Sequence, residues 1–486
     1  MKFLHRKRVV FGAVLFFGLL AMTTRPAVDP DLWWHLRAGQ WMVENGRVAH
    51  HDHFSFTRSG SAWISHEWLA EVVFYEIWRY AGPGGLIAFS SLVTTLGFLV
   101  LYGRCPGKAH WAAALTALGA TATAPSWGVR PQMFTFTLAS VLLWLLERGE
   151  ARPRVLFWIP PLFLVWLNLH GGFALGPALM ALYAIGLAAE SAAGTTPWTE
   201  SRAVIARVAA ITLVCMGLVP LNPSGRELYR YPLDTLRSTE MRTRIVEWFA
   251  PDFHRWMYFP LLLVVLLLVI ALTGSKARIK GRTLLPLLFT TAAALDAVRH
   301  IPIFILLAIP VMASLGVRKD LALRQRKTLL PRTTATLING AALTLLAAFA
   351  VAHWIELTRE QPAEEAAHFP QRAVAFLQKR QQGERLFAYY DWGGYAIWKV
   401  GSSYRVFADG RADLYGDELL RESSQTVPEI RAGWEGVLER WNVETILVPP
   451  STAVAQALMI NGDWSLAYRD QQAAIFVRKS TKPDKS

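Results

Sequence analysis

Apolar runs long enough to cross a lipid bilayer recur along roughly the first 355 residues of this 486-residue chain. They fall near 9–25, 84–103, 109–125, 131–147, 155–169, 171–189, 204–220, 257–273, 283–298, 300–316 and 333–353. A segment in hydrocarbon must satisfy its own backbone N–H and C=O groups, so about eleven such runs predict a bundle of α-helices. Composition agrees, with 53% apolar residues and only 18% charged ones, which excludes an ordinary soluble enzyme. The first run is read as a retained helix, because no small-residue cleavage site ends it and many spans follow. Cys105 and Cys215 are expected to be free thiols.

The net charge of +14 would suit a nucleic-acid partner, but its placement argues against one. Lys2, Arg6, Lys7 and Arg8 precede the first run, and basic residues return in alternate loops. These are "GRCPGKAH", "ERGEARPR", the 190–203 loop, "GSKARIKGR" and "VRKDLALRQRKTLLPR". Short basic loops stay in the cytoplasm, so the charge is an insertion signal and the N-terminus is predicted to be cytoplasmic. The chain is then a multi-pass protein of the cytoplasmic (inner) membrane. Its other side receives residues 26–82, turns near 127–130, 168–171 and 299, the 221–256 loop, and everything from about 355.

That outer side collects most of the chemistry. The first outer loop, 26–82, brings Asp29, Asp31, His35, Arg37, His50, His51, Asp52, His53, His66 and Glu67. "GVRPQMF" adds Arg130 and Gln132, "LNLHGGF" adds Asn168 and His170, and "LNPSGRELYRY" adds Asn222 and Arg226. "RIVEWFAPDF" adds Glu247 and Asp252, and "LDAVRHIP" adds Asp296, Arg299 and His300. Ionisable groups at membrane depth are expensive and face a cavity or a partner. Six segments that deliver them to one face predict a single polar site at the outer membrane boundary.

Local structure explains part of this. Asp29-Pro30 reads as an N-cap followed by proline at the first helical position, with Asp31 favouring the helix dipole. Trp34, Ala38, Trp41 and Met42 form a helical stripe expected to lie in the membrane interface. Asp31 and His35 are four apart on one face, which capping does not require. "HHDHFSFT" matches no standard zinc spacing and reads as a loop with a structural Asp. Ser65 can cap the next helix, which leaves His66 and Glu67 at its first turn without a structural role. Arg130, Arg299 and His300 could snorkel to headgroups, or converge on a phosphate, whose oxygens match the guanidinium fork. "HGG" permits a tight turn at His170, and Glu247 has no evident structural job.

From about 355 the pattern changes to short strands alternating with helices, which predicts a soluble α/β domain over 355–486 behind a membrane domain over 1–354. "EEAAHFPQRAVAFLQKRQ" and stretches near 427–440 and 452–460 read as helices. "RLFAYY", "YRVFADG", "TILVPP", "SLAYRD" and "AAIFVRK" read as strands, with "DWGGYAIWKV" a turn plus short helix. Asp391, Asp409, Arg411 and Asp413 fit turn chemistry at strand ends, or a polar loop surface.

An N-in first helix, an aspartate-led first outer loop, about eleven spans and an outer C-terminal domain together resemble the GT-C class of membrane glycosyltransferases. That class includes protein O-mannosyltransferases, lipid A aminoarabinose transferases and oligosaccharyltransferase catalytic subunits. "DPDLWWHLRAGQWMVENG…HHDHFSFT…WISHEWLAE" resembles a bacterial glycosyltransferase-like membrane family within it, and "YYDWGGYAIW" is similar to the aromatic-Asp-Gly motif of oligosaccharyltransferase subunits. The resemblance implies a polyprenyl-phosphate-linked sugar donor, and an acid of the first outer loop near a lipid, glycan or protein acceptor. It allows a divalent metal, Mg or Mn, held by Asp29 and Asp31 if present. The Asp-Glu pair of the mannosyltransferases is absent: here a proline separates two aspartates, and either could be the acid.

The expected chemistry is glycosyl transfer with Asp29 or Asp31 as base, oriented by His35 or Glu67. Arg130, Arg299 and His300 would neutralise charge on the leaving lipid phosphate, with His66, His170, Glu247 and Asn168 as further site candidates. One alternative is a polysaccharide polymerase or ligase using a lipid-pyrophosphate donor, which the Asp pair disfavours. Another is a non-enzymatic transporter or scaffold. A transporter should carry charge at mid-membrane, whereas these runs are clean at their centres.

Overall fold

The computed structural model describes residues 7–275, 279–320, 331–380, 385–427 and 429–479. The basic signals at Lys2, Arg6, 276–278 and 321–330 lie outside the described residues. The chain divides into two compact units.

The first unit comprises Met1–Pro26, Gly84–Gly225 and Ile245–Arg359 and is helical. A helix coincides with each of the eleven apolar runs. Six helical stretches among the described residues are long and apolar enough to cross a membrane: Trp68–Arg104, Gly171–Ala192, Trp198–Leu221, Trp256–Thr273, Val298–Gly316 and Thr333–His368. Phe259–Thr273 shows why such segments become helices: "FPLLLVVLLLVIALT" has proline at the helix start and no polar side chain until its last residue. Trp68–Arg104 is broken at Gly82, where φ +60° and ψ −163° suit glycine alone, and Pro83 follows without an N–H to donate.

Ends that the charge pattern assigns to one side gather together in this unit. Arg282 binds Glu190 at 2.6 Å and Glu150 at 3.2 Å, and Arg104 binds Glu147 at 2.8 Å. Those residues belong to, or adjoin, four of the five basic loops. The two cysteines are free and buried.

The second unit comprises Ala27–Pro83, Arg226–Arg244 and Glu360–Ser486. Its sheet is β1 (Arg385–Ala388), β2 (Arg405–Val406), β3 (Thr445–Val448), β4 (Trp464–Arg469) and β5 (Ala474–Arg478), in the order β2-β1-β3-β5-β4. β1 runs parallel to β2 and β3, which needs crossovers, and helices supply them. β5 pairs antiparallel with β3 and β4. All five strands expected from the tail are present. The helix Ala412–Thr426 lies where the sequence reading has none, and Arg332–His368 runs continuously past residue 355.

The first outer loop is part of this unit's core. Its backbone extends the sheet edge, with Phe56 N–H donating to the Val406 carbonyl and Val406 N–H to that of Phe54. Trp33, 0% exposed, packs edge-on against Trp78, Phe369 and Tyr395. Trp34 is buried as well. The helix Pro30–Asn45 therefore spends these tryptophans on packing against the tail and not on a membrane interface, because large aromatic area is worth more in a protein core.

Candidate functional site

In the second unit the acids of the first outer loop meet those of the tail. Asp29 is the N-cap of Pro30–Asn45, and its carboxylate accepts the Asp31 N–H at 3.0 Å. Asp31 Oδ1 accepts the Trp34 indole N–H at 3.2 Å. The turn at Gly410 closes over this point: a β-carbon there would overlap Asp31 Oδ1. Only glycine lets the 409–411 backbone approach so closely.

One turn on, His35 lies between two carboxylates, with Nε2 3.6 Å from Glu67 and Nδ1 3.8 Å from Glu71. Glu67 reaches His66 Nε2 at 3.3 Å through its other oxygen, and His66 Nδ1 faces Asp413 at 4.0 Å. Burial alone would lower the His66 pKa; Glu67, by charge and hydrogen bond, and Asp413 instead raise it to about 9. The Asp413 carboxyl is raised by burial and by Glu67, against the pull of His66. Asp391 is raised by the protein around it and by the charge of Asp31. The Tyr390 phenol, its hydroxyl buried and without a hydrogen-bond partner among the described residues, is raised well above 10 by burial and by Asp31, Asp409, Asp391 and Asp413. These acids lie close together, and burial and their mutual charge shift their proton affinities.

Arg411 stands beside it but is committed elsewhere, bound to Asp52 at 2.7 Å and to Asp409 at 2.7 Å with no exposure. Asp52 is thus the structural acid of "HHDHFSFT", and His53 of that loop stacks on Trp41.

In the first unit Arg130, Glu247 and Arg299 come together. Glu247 receives Arg130 Nη1 at 3.0 Å and Arg299 Nη1 at 3.4 Å, and the Arg299 guanidinium lies 4.2 Å over the Trp248 ring. All three charged side chains are about one-quarter exposed. His300 Nδ1 is 3.2 Å from the Ala293 carbonyl, and its ring meets Trp248 edge-on. Two further candidates shape turns. His170 Nδ1 lies 2.9 Å from the Gly172 N–H and 2.7 Å from the Thr135 hydroxyl. The Asn168 side-chain oxygen Oδ1 accepts from the Asn222 side-chain amide at 3.1 Å.

Among the described residues no group of three or more His, Cys, Asp or Glu side chains is arranged to hold a metal ion. In the helix cap and the indole contact Asp29 and Asp31 each engage one carboxylate oxygen.

Glu71 and Tyr390 are absent from the sequence candidates. Glu71 is four residues after Glu67 on one helical face, the same spacing that singles out Asp31 and His35. Nothing local distinguishes Tyr390, because its surroundings come from distant parts of the chain.

No family model matches the sequence, and no curated protein matches it. Solved structures do match. The archaeal oligosaccharyltransferase AglB from Archaeoglobus fulgidus, in complex with an inhibitory peptide and a dolichol-phosphate, overlays with a TM-score of 0.57 at 11% identity. The match covers 98% of this chain and 75% of that one. The apo oligosaccharyltransferase of the same organism gives 0.53 at 11% identity, over 91% of this chain and 70% of that one. ArnT from Cupriavidus metallidurans bound to undecaprenyl phosphate gives 0.46 at 14% identity, over 98% of both. The chain has the fold of the GT-C membrane glycosyltransferases.

Proposed function

We propose that this chain is a membrane glycosyltransferase that moves a sugar from a polyprenyl-phosphate-linked donor to an extracytoplasmic acceptor. The observation that carries the reading is the gathering of Asp31, His35 and Glu67 with the tail acids Asp391 and Asp413 in one compact unit. In this reading about eleven helices cross the cytoplasmic membrane, the N-terminus is cytoplasmic, and residues 355–486 form an outer domain.

Asp31 is the base. Asp29 is occupied by the helix cap, whereas Asp31 sits among the tail acids. Asp31 takes the proton from the acceptor as the acceptor oxygen or nitrogen attacks the anomeric carbon. The bond from that carbon to the phosphate oxygen breaks, and its electron pair leaves with the polyprenyl phosphate. A single displacement inverts the anomeric centre. Glu67 and His35 orient the acceptor side.

Arg130 and Arg299 serve the phosphate. Glu247 already draws both guanidiniums onto one carboxylate, an arrangement that suits a phosphate oxygen equally well. The archaeal oligosaccharyltransferase carries a dolichol-phosphate, and a lipid phosphate is the ligand proposed here.

With purified protein and a series of polyprenyl-phosphate sugars, we expect transfer of labelled sugar to a cell-envelope acceptor. Arg299→Ala should raise the donor KM about 10- to 100-fold, the loss of one charge-assisted phosphate contact. An unchanged donor KM in Arg299→Ala and in Arg130→Ala would remove this cluster from the donor site.

A further inference from the structure

His66 stands where three stretches of the second unit meet. It lies in the first outer loop just before the helix Trp68–Arg104, its ring lies 3.9 Å from that of Tyr231 in the 226–244 segment, and Asp413 faces it from the tail helix Ala412–Thr426. The side chain is buried, at 8% exposure. Both ring nitrogens point at acceptors. Nδ1 is 3.2 Å from the Ile64 carbonyl, an oxygen that cannot donate, so Nδ1 carries a proton. Nε2 is 3.3 Å from the Glu67 carboxylate, which needs a proton there too. A stacked phenol ring offers its negative face to a cation.

We propose that His66 is a positioning residue held as an imidazolium, which keeps Glu67 ionised and turned between the two histidines and ties it to Asp413. Its effect on catalysis rests on the transferase reading above; its charge state does not.

The charged groups that face it are Glu67 and Glu71 from its own stretch and Asp413 from the tail helix, on which Arg411 also acts. A carboxylate buried without a cation takes up a proton. If His66 lost its charge, Glu67 and Asp413 would drift toward the neutral acid, and the string Glu71–His35–Glu67–His66–Asp413 would lose the cation that joins its last three members. The proton affinity raised to about 9 agrees with the geometry.

The test has two arms. In the first, protein labelled with carbon-13 at histidine is titrated in detergent. One histidine resonance, absent from His66→Gln, should report an imidazolium at pH 7.5 and titrate near 9. A neutral ring at pH 7.5 would overturn the proposal. Should His66→Gln fail to fold, Asp413→Asn serves instead: one high-titrating resonance should move down toward the ordinary 6.5, and no movement would equally overturn it.

The second arm follows turnover against pH. In His66→Gln the acid limb should shift to higher pH, so the deficit is large below neutrality and shrinks above it. A purely structural role would lower turnover by the same factor at every pH. Absence of turnover in the wild type would defeat the transferase reading and leave the first arm to decide the charge of His66.

Discussion

Replacing Arg411 by alanine is expected to destabilise the second unit by about 3–5 kcal/mol, the usual loss when one partner of a buried ion pair is removed. The guanidinium has no exposed surface. It donates to Asp52 at 2.7 Å and to both oxygens of Asp409 at 2.9 and 2.7 Å, and it is enclosed by the rings of Phe54 and Trp63. Alanine leaves two buried carboxylates without their cation and a cavity where the side chain was.

The Asp52 carboxyl shows what is at stake. Burial would raise it, but Arg411, Ser55 and the Phe54 N–H hold it below its ordinary 3.8. A depressed carboxyl stabilises the fold fully above its ordinary value, and that contribution is lost as pH falls through its folded one. Lysine at 411 should recover little, because a single ammonium cannot reach two carboxylates in the fork geometry. Tryptophan fluorescence during thermal unfolding measures the loss. An Arg411→Ala protein that melts within a degree or two of wild type would show that the cluster is not the unit's anchor.

The second large effect is on chemistry. Asp31→Asn should lower turnover by about 10²–10⁴, the typical contribution of a general base. Asparagine keeps the shape, and its carbonyl can still accept the Trp34 indole N–H, so the melting temperature should hold. Asp29→Asn provides the contrast. Asparagine caps helices about as well as aspartate, so that variant should keep turnover within a few-fold of wild type. The reverse pattern, with Asp29→Asn inactive and Asp31→Asn active, would move the base to Asp29.

The two aspartates also show where sequence reading stops. Capping of a helix by Asp29 is legible, because Asp-Pro at a helix start is local chemistry. The approach of the tail to Asp31 is not, because it depends on Gly410, nearly 380 residues downstream, lying against Asp31. The helical runs and the tail strands are legible through hydropathy and short-range periodicity. Helix Ala412–Thr426 escapes that reading because Gly416 interrupts it with a positive φ, which breaks the pattern that marks a helix. Trp34 looks like a membrane-belt residue in sequence, and the tail helix Tyr390–Val400 that packs against it is visible only in three dimensions. Arg130 and Arg299 are each legible as ions at the ends of apolar runs, and Glu247 as an ion of the 221–256 loop between two such runs. Their convergence on one carboxylate is a tertiary fact.

The most direct test is to follow release of free polyprenyl phosphate from a short-chain polyprenyl-phosphate sugar, with wild type and Asp31→Asn measured side by side at equal folded concentration. Acceptor-dependent release by the wild type, reduced at least a hundredfold in Asp31→Asn, is the predicted result. Equal release by the two proteins would contradict Asp31 as the base. No release by the wild type with any donor and envelope acceptor would contradict glycosyl transfer from a lipid monophosphate.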